Sequence, residues 1–392
     1  MGKHYGFVSV AAHGHVNPTL PLVAELVRRG NRVSYATAEP FHAAVRAAGA
    51  EPAAVPFEVS RMPSIRNGQP DSAAIAAKRE SALASMTRSF DVLCDRFAGQ
   101  RLDAICGDVM APVGAMVAEQ LGVPFAALCP TYASNETFSL RTAMIGGAAA
   151  ESPVAHLDER LQEFAGQRGL TGRYRMVLDE PAPLNLVFLP REFQPHAESF
   201  DERYAFLGPS ITRRADSGQW RPQGQPLLFV SLGTLFNQQA GFFRQCIEAF
   251  TDSDWQVAMS VGRDIDAADL GPVPANFEIR PHFPQLDVLR AATAFVSHAG
   301  MNSTLESLYF GVPLIAVPHM PEQEMTARQV EELGVGRRLD PALTTADLLR
   351  ATVDQVAADE QILSTANRMG VSLRERKSGA ERGADLVEKL SS

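Results

Sequence analysis

The feature that most constrains this chain is a strand–loop–helix–strand order that occurs in both halves. HYGFVSVA (4–11) alternates as a strand, AHGHVNP (12–18) is a turn-rich loop, TLPLVAELVRRG (19–30) has helical periodicity and a glycine stop, and RVSYATA (32–38) is the next strand. Neighbouring strands joined through a helix run parallel, and a parallel sheet is buried on both faces. The order recurs at LDAICGD (102–108), APVGAMVAEQLG (111–122) and PFAALCP (124–130), with NLVFLP (185–190) as one more strand. GPSITRRADSGQWRPQGQP (208–226) then breaks it, rich in Gly, Pro, Arg and Ser and without period. The alternation restarts at LLFVSLGT (227–234), and WQVAMSVG (255–262), AFVSHAG (294–300) and VPLIAVP (312–318) read as further strands.

The expected fold class is therefore α/β, with two Rossmann-like, doubly wound domains. With 392 residues, 45% of them hydrophobic, the chain can fill two cores. The expected division is 1–207, a linker 208–226, and 227–392, whose last helix is a candidate to return to the first domain. Residues 57–80 read as irregular and 131–180 as mostly helical, inserted segments of the kind that line binding sites. Ligands of such sheets lie at the carboxyl ends of the strands, so two domains facing across a cleft would enclose one site.

A net charge of −9 argues against nucleic acid and against an anionic membrane surface as partners. No apolar run approaches the roughly 20 residues of a membrane span, and the first residues do not read as a signal peptide. Cys94, Cys106, Cys129 and Cys246 are well separated and read as reduced, buried thiols of a cytoplasmic protein.

Two stretches carry chemistry. In HAGMNSTLESLYFGVP (298–313) a strand closes on His298 and a helix is expected to begin near Asn302 or Ser303. The unpaired first amides and dipole of a helix attract an anion, and a diphosphate fits there. Gly300 would let backbone approach a phosphate, and His298 could donate to it. Ser303-x-x-Glu306 is equally a capping box that needs no ligand. At the other end, His13 and His15 share one loop, and Asp108 closes a strand of the same domain. A histidine near its ordinary pKa of about 6.5 can take a proton from an alcohol, and a carboxylate can fix its tautomer. By spacing alone either histidine is as well read as structural, and Asp108 as a helix N-cap before Ala111-Pro112.

HAGMNSTLESLYFGVPLIAVPHMPEQEMTA (298–327) resembles the C-terminal signature of the nucleotide-sugar-dependent glycosyltransferases, nearest the bacterial macrolide group. AAHGHVNPTLPLVAELVRRGNRVSYAT (11–37) resembles that family's N-terminus and VSLGT (230–234) the start of its second domain, so the likeness spans nearly the whole chain. The resemblance implies the GT-B fold and inverting transfer, with a UDP-sugar as co-substrate and no metal or other cofactor. It implies His15, in G-H-x-x-P, as base and Asp108 as its partner. His298, Gly300, Asn302 and Ser303, helped by Thr234, would hold the diphosphate. Glu306 would bind the ribose and Gln285 the nucleobase. Glu322 and Gln323 would contact the sugar and favour glucose. His282 stands where many relatives have Trp, which weakens base stacking. Phe57, Met62, Ile65, Met86, Phe90, Cys129, Tyr132, Phe138 and Met144 fall where relatives line an acceptor pocket, here apolar and suited to a natural product such as a macrolide or flavonoid. Antibiotic inactivation, biosynthetic tailoring and detoxification all fit that activity. A nucleotide-sugar epimerase of similar fold and a non-catalytic helper are the alternatives. Asp264-Ile265-Asp266 and Asp252-Ser253-Asp254 read as solvated loops rather than metal ligands, and the oligomeric state stays open.

Overall fold

The computed structural model describes residues 2–57, 65–66, 69–70, 72–145, 154–209, 211, 220–224, 226–233, 239–375 and 378–391. The chain divides into two compact units, Met1–Ser210 with Lys377–Ser392, and Ile211–Arg376.

The first unit holds strands β1 (His4–Val8), β2 (Arg32–Thr37) and β3 (Glu51–Ala54), a small antiparallel pair β4 (Ile65–Arg66) and β5 (Gln69–Pro70), then β6 (Ala104–Asp108), β7 (Phe125–Cys129), β8 (Leu184–Val187) and β9 (Tyr204–Phe206). Its main sheet runs β3-β2-β1-β6-β7-β8-β9, all parallel. Alternate strand residues feed two cores. Tyr5 and Phe7 pack with Leu22, Leu26, Ala384 and Val387, whereas Val8 and Ile105 pack with Phe90, Phe97 and Met116. The second unit holds β10 (Leu227–Ser231), β11 (Gln256–Ser260), β12 (Phe277–Arg280), β13 (Ala294–Ser297), β14 (Leu314–Ala316) and β15 (Gly336–Arg338). They form one parallel sheet in the order β12-β11-β10-β13-β14-β15.

Both sheets thus grow outward on one side of their first strand and then reverse, which is the doubly wound order. The reversals fall between β1 and β6 and between β10 and β13.

Several local expectations change. The stretch 12–18 is not a loop: a helix runs His13–Arg28 with Pro18 and Pro21 inside it. Pro18 and Pro21 cannot make the bonds their amides would send to Gly14 and Asn17, and burial of Val16, Leu22 and Leu26 holds the helix. A 27-residue helix, Ser72–Ala98, occupies part of the stretch read as irregular. Within 131–180 the helices among the described residues are Leu140–Ile145 and Ala155–Gln167, while 131–139 and 168–180 are not helical. Part of the expected linker belongs to the second unit. Trp220 donates from Nε1 to Glu278 at 3.1 Å and sets its ring edge-on to Phe283, and the Gly224 amide donates to Gln256 at 2.6 Å. Residues 210, 212–219 and 225 of that linker lie outside the described residues. Cys106, Cys129 and Cys246 are buried free thiols, but Cys94 is only half-buried.

The last helix, Gly379–Leu390, belongs to the first unit rather than to the second, where chain order would put it. Apolar and ionic contacts both fix it there. Arg29 donates to Asp385 at 2.6 Å and Glu388 at 2.9 Å, Asn31 to Glu388 at 2.7 Å, and Lys3 Nζ to the Glu388 carbonyl at 2.8 Å. A Cβ on Gly379 would stand 2.3 Å from the Leu207 carbonyl oxygen. Gly379→Ala should therefore lift this helix, costing about 1–3 kcal/mol and speeding amide exchange across Gly379–Leu390. Unchanged exchange there would show that the docking does not depend on the close approach.

Candidate functional site

Each reversal point carries a histidine. In the first unit, Val8 pairs with Gly107, so the residues after β1 and Asp108 at the end of β6 leave the sheet side by side. His15 is in the first turn of the helix that follows β1. Its Nδ1 lies 2.6 Å from Asp108 Oδ2. Asp108 is 1% exposed, and its Oδ1 accepts from the Met110 amide at 2.8 Å. One carboxylate oxygen thus closes a local turn while the other holds the imidazole. Asp108 is not the cap of the next helix, whose N-cap is Pro112. A carboxylate accepts only, so the neutral ring carries its proton on Nδ1 and Nε2 is the basic nitrogen. His13 is exposed and sets its ring edge-on to Phe41, 4.9 Å between centroids.

In the second unit, Ser231 pairs with Ser297, so Gly233 and His298 emerge together. A Cβ on Gly233 would lie 2.6 Å from His298 Cε1, and one on Gly300 2.4 Å from Nε2. The imidazole is wedged between two glycines. Gly300, expected to admit a phosphate, makes room for His298. Gly233 has φ +76°, and Ala299 is a non-glycine at φ +59°, an uncommon left-handed residue at the turn between His298 and the helix. That helix runs Met301–Tyr309 with Gly300 as N-cap and no side-chain cap. Ser303 is therefore inside the first turn, and the capping-box alternative does not hold. Gln285 Nε2 instead donates to Ser303 Oγ at 3.2 Å and to Glu306 Oε2 at 2.5 Å, which gathers these three expected residues. Glu306 is buried.

His298 Nδ1 is buried beside the Ser231 backbone, although another part of the residue reaches solvent. Burial pushes its pKa down to about 4, the neighbouring His319 adds to this, and the Ser231 backbone offsets part of it. His319 was not singled out from the sequence. Burial lowers it to about 4 as well. The sequence does carry a signal, since His319 comes three residues after β14, the strand beside the one that His298 directly follows.

The remaining expectations divide. Gln323 accepts from the His319 amide at 2.8 Å, and Glu322 precedes it in the first turn of the helix Pro321–Glu332. Asn302 lies in the first turn of the helix at Met301, and His282 is exposed. Thr234 and Met62 lie outside the described residues, as does the side chain of Ile65. Phe57, Met86, Phe138 and Met144 are half-buried. Phe90 and Tyr132 are spent on packing rather than exposed for a ligand. Phe90 meets Phe164 edge-on, and Tyr132, 1% exposed, stacks on Phe193. Asp266 caps a short 3-10 turn through the Ala268 amide. No helix among the described residues is long and apolar enough to cross a membrane.

Two doubly wound units, each with its polar cluster at the reversal of strand order, define the GT-B class of glycosyltransferases. Comparison with known proteins gives the family. Residues 244–389 match the family model described as the erythromycin biosynthesis protein CIII-like C-terminal domain. The NDP-glycosyltransferase YjiC of Bacillus licheniformis is 40% identical over 391 residues, 98% of this chain and 97% of that protein. The oleandomycin glycosyltransferase of Streptomyces antibioticus is 32% identical over 98% of this chain and 90% of its own length. The crystal structure of CalG4, the calicheamicin glycosyltransferase, superposes with a TM-score of 0.84 at 33% identity, covering 99% of this chain and 98% of that one. The chain belongs to the UDP-glycosyltransferase superfamily, among the relatives of the macrolide glycosyltransferases and YjiC. These relatives are transferases, and the epimerase alternative is set aside.

The two low histidine values give a pH dependence of stability. The folded values near 4 lie below the ordinary 6.5, so between them the unfolded chain binds protons that the folded chain refuses. Stability is full above about pH 6.5 and falls as the pH drops towards 4, by up to about 1.4 kcal/mol per pH unit for each imidazole. Urea denaturation of wild type and His319→Gln at pH 8, 6 and 5 reads the effect as a gap that changes in acid. A gap independent of pH would contradict it.

Proposed function

We propose that this protein moves a sugar, glucose in the first instance, from a UDP-sugar to a hydroxyl of an apolar natural product, with inversion and without a metal. The observation that carries the reading is the His15–Asp108 pair at 2.6 Å. His15 Nε2 takes the acceptor's proton as its oxygen attacks the anomeric carbon. The bond from that carbon to the diphosphate breaks, and the nucleoside diphosphate leaves with the electron pair. Asp108 keeps the tautomer and stabilises the imidazolium that forms. In the second unit, His298, Gly300, Asn302, Ser303 and Thr234 hold the diphosphate, favoured by the uncapped helix start. Glu306 meets the ribose, Gln285 the base, and Glu322 and Gln323 the sugar. Relatives named for oleandomycin and calicheamicin support a bulky, largely apolar acceptor.

The decisive assay incubates macrolides and flavonols with UDP-glucose and a chelator, read by mass spectrometry. One added hexose on any acceptor is the expected result. No addition with UDP-glucose still bound would move the acceptor outside these two classes. His15→Ala should lower the rate by about 10²–10⁴-fold or more, the usual worth of a general base, and leave UDP-glucose affinity unchanged. Asp108→Asn should act in the same direction. Lost donor affinity in His15→Ala would place the base elsewhere.

A further inference from the structure

The His15–Asp108 pair depends on a firm first turn in the helix His13–Arg28, and the backbone alone ties that turn incompletely. The His15 amide donates back to the Ala12 carbonyl at 3.0 Å. Going forward, the amides of residues 17 to 21 would join the turn 13–17 to the next one, but Pro18 and Pro21 have none to offer. Thr19 stands between the two prolines, one turn beyond His15, and a helical side chain leans back over the preceding turn. Its Oγ1 donates at 2.8 Å to the carbonyl of Val16, the residue next to the base. The same oxygen lies 2.8 Å from the Tyr35 hydroxyl. A threonine hydroxyl has one proton, here given to Val16, so Tyr35 donates and Thr19 accepts. Burial pushes the Tyr35 phenol above its ordinary range, so it keeps that proton. Tyr35 is 0% exposed and Thr19 1%.

We propose that Thr19 and Tyr35 are positioning residues for the base: their buried hydroxyls tie the turn that carries His15 to β2 and so hold its Nδ1 against Asp108. The inference rests on the reading of His15 as the base and adds what keeps it in place. Tyr35 pairs with Phe7 of β1, and Val8 of β1 pairs with Gly107 of β6, next to Asp108. Both members of the pair are thereby fixed to one sheet, Asp108 through the chain and His15 through the two hydroxyls. Neither hydroxyl residue reaches solvent to any extent, so both act through His15 rather than on a substrate. Placement is where such a tie has leverage, since moving a catalytic group by about 1 Å can cost about 10²-fold in rate. A bond that served stability alone would change the melting temperature and leave the imidazole where it is.

Thr19→Val keeps the shape and removes the hydroxyl, Thr19→Ser keeps the hydroxyl, and Tyr35→Phe keeps the buried ring and removes the donor. Proton NMR gives a readout that needs no substrate. A short bond to a carboxylate moves the His15 Nδ1 proton downfield, and His15→Ala identifies that signal by deleting it. Thr19→Val should move the signal upfield and lower kcat about tenfold or more. KM for UDP-glucose should stay unchanged, because the residues assigned to the donor belong to the second unit. Tyr35→Phe should act in the same direction, and Thr19→Ser should recover both signal and kcat. Circular dichroism identifies a variant that has unfolded, leaving the other hydroxyl deletion to decide. In a folded deletion variant, an unmoved signal or an unchanged kcat overturns the inference, as does a Thr19→Ser no better than Thr19→Val. If wild type transfers glucose to no acceptor, the proposed function fails, and the NMR signal alone still decides whether the two hydroxyls hold His15.

Discussion

Where the strand order of a parallel sheet reverses, neighbouring carboxyl ends send their chains to opposite faces and leave a gap that backbone does not fill. The rest of this molecule's chemistry depends on that constraint. β1 and β6 diverge in the first unit and β10 and β13 in the second, and a histidine stands beyond each divergence, His15 in one and His298 in the other. Continuous burial of the strands beneath them, complete along β1, β6, β10 and β13, makes each exit a rigid platform.

The two platforms tune the same side chain in opposite ways. His15 leans on a buried carboxylate whose second oxygen is already fixed by the Met110 amide, so the ring has one orientation and one tautomer. Among the described residues no carboxylate is paired with His298. It is set by shape, between Gly233 and Gly300, and burial keeps it neutral. A base needs a partner for the charge it gains, whereas a group that donates to an anion must keep one N–H aimed outward. The environments suit the two roles proposed for these residues.

Much of this was legible in the sequence because hydrophobic alternation reports strands and glycine reports helix ends. The two-unit α/β class and the GT-B fold follow from the alternation and the motif, and His15, Asp108, Gln285, Ser303 and Glu306 come together in their two clusters as the motifs suggest. What could not be read depends on contacts distant in sequence. Pro18 and Pro21 argue locally against a helix that burial nevertheless enforces. That Gly300 also makes room for the His298 ring shows only once the position of that ring is known. Ser303-x-x-Glu306 imitates a cap three residues past the observed N-cap, Gly300. Phe90 and Tyr132, placed among acceptor-pocket residues by resemblance, are buried against Phe164 and Phe193, contacts that position in the sequence does not report.

The return of Gly379–Leu390 to the first unit bears on how the chain is born. Leu22 and Leu26 emerge early in synthesis, yet Ala384 and Val387, which share their cluster, come last. At about 5–20 residues per second, some 180 residues separate β9 from that cover, roughly ten to forty seconds. All of the second unit's strands are made in that interval. The first unit must therefore wait with an apolar face open while its partner folds, which makes the newborn chain, rather than the finished one, the form most exposed to aggregation and to chaperone capture.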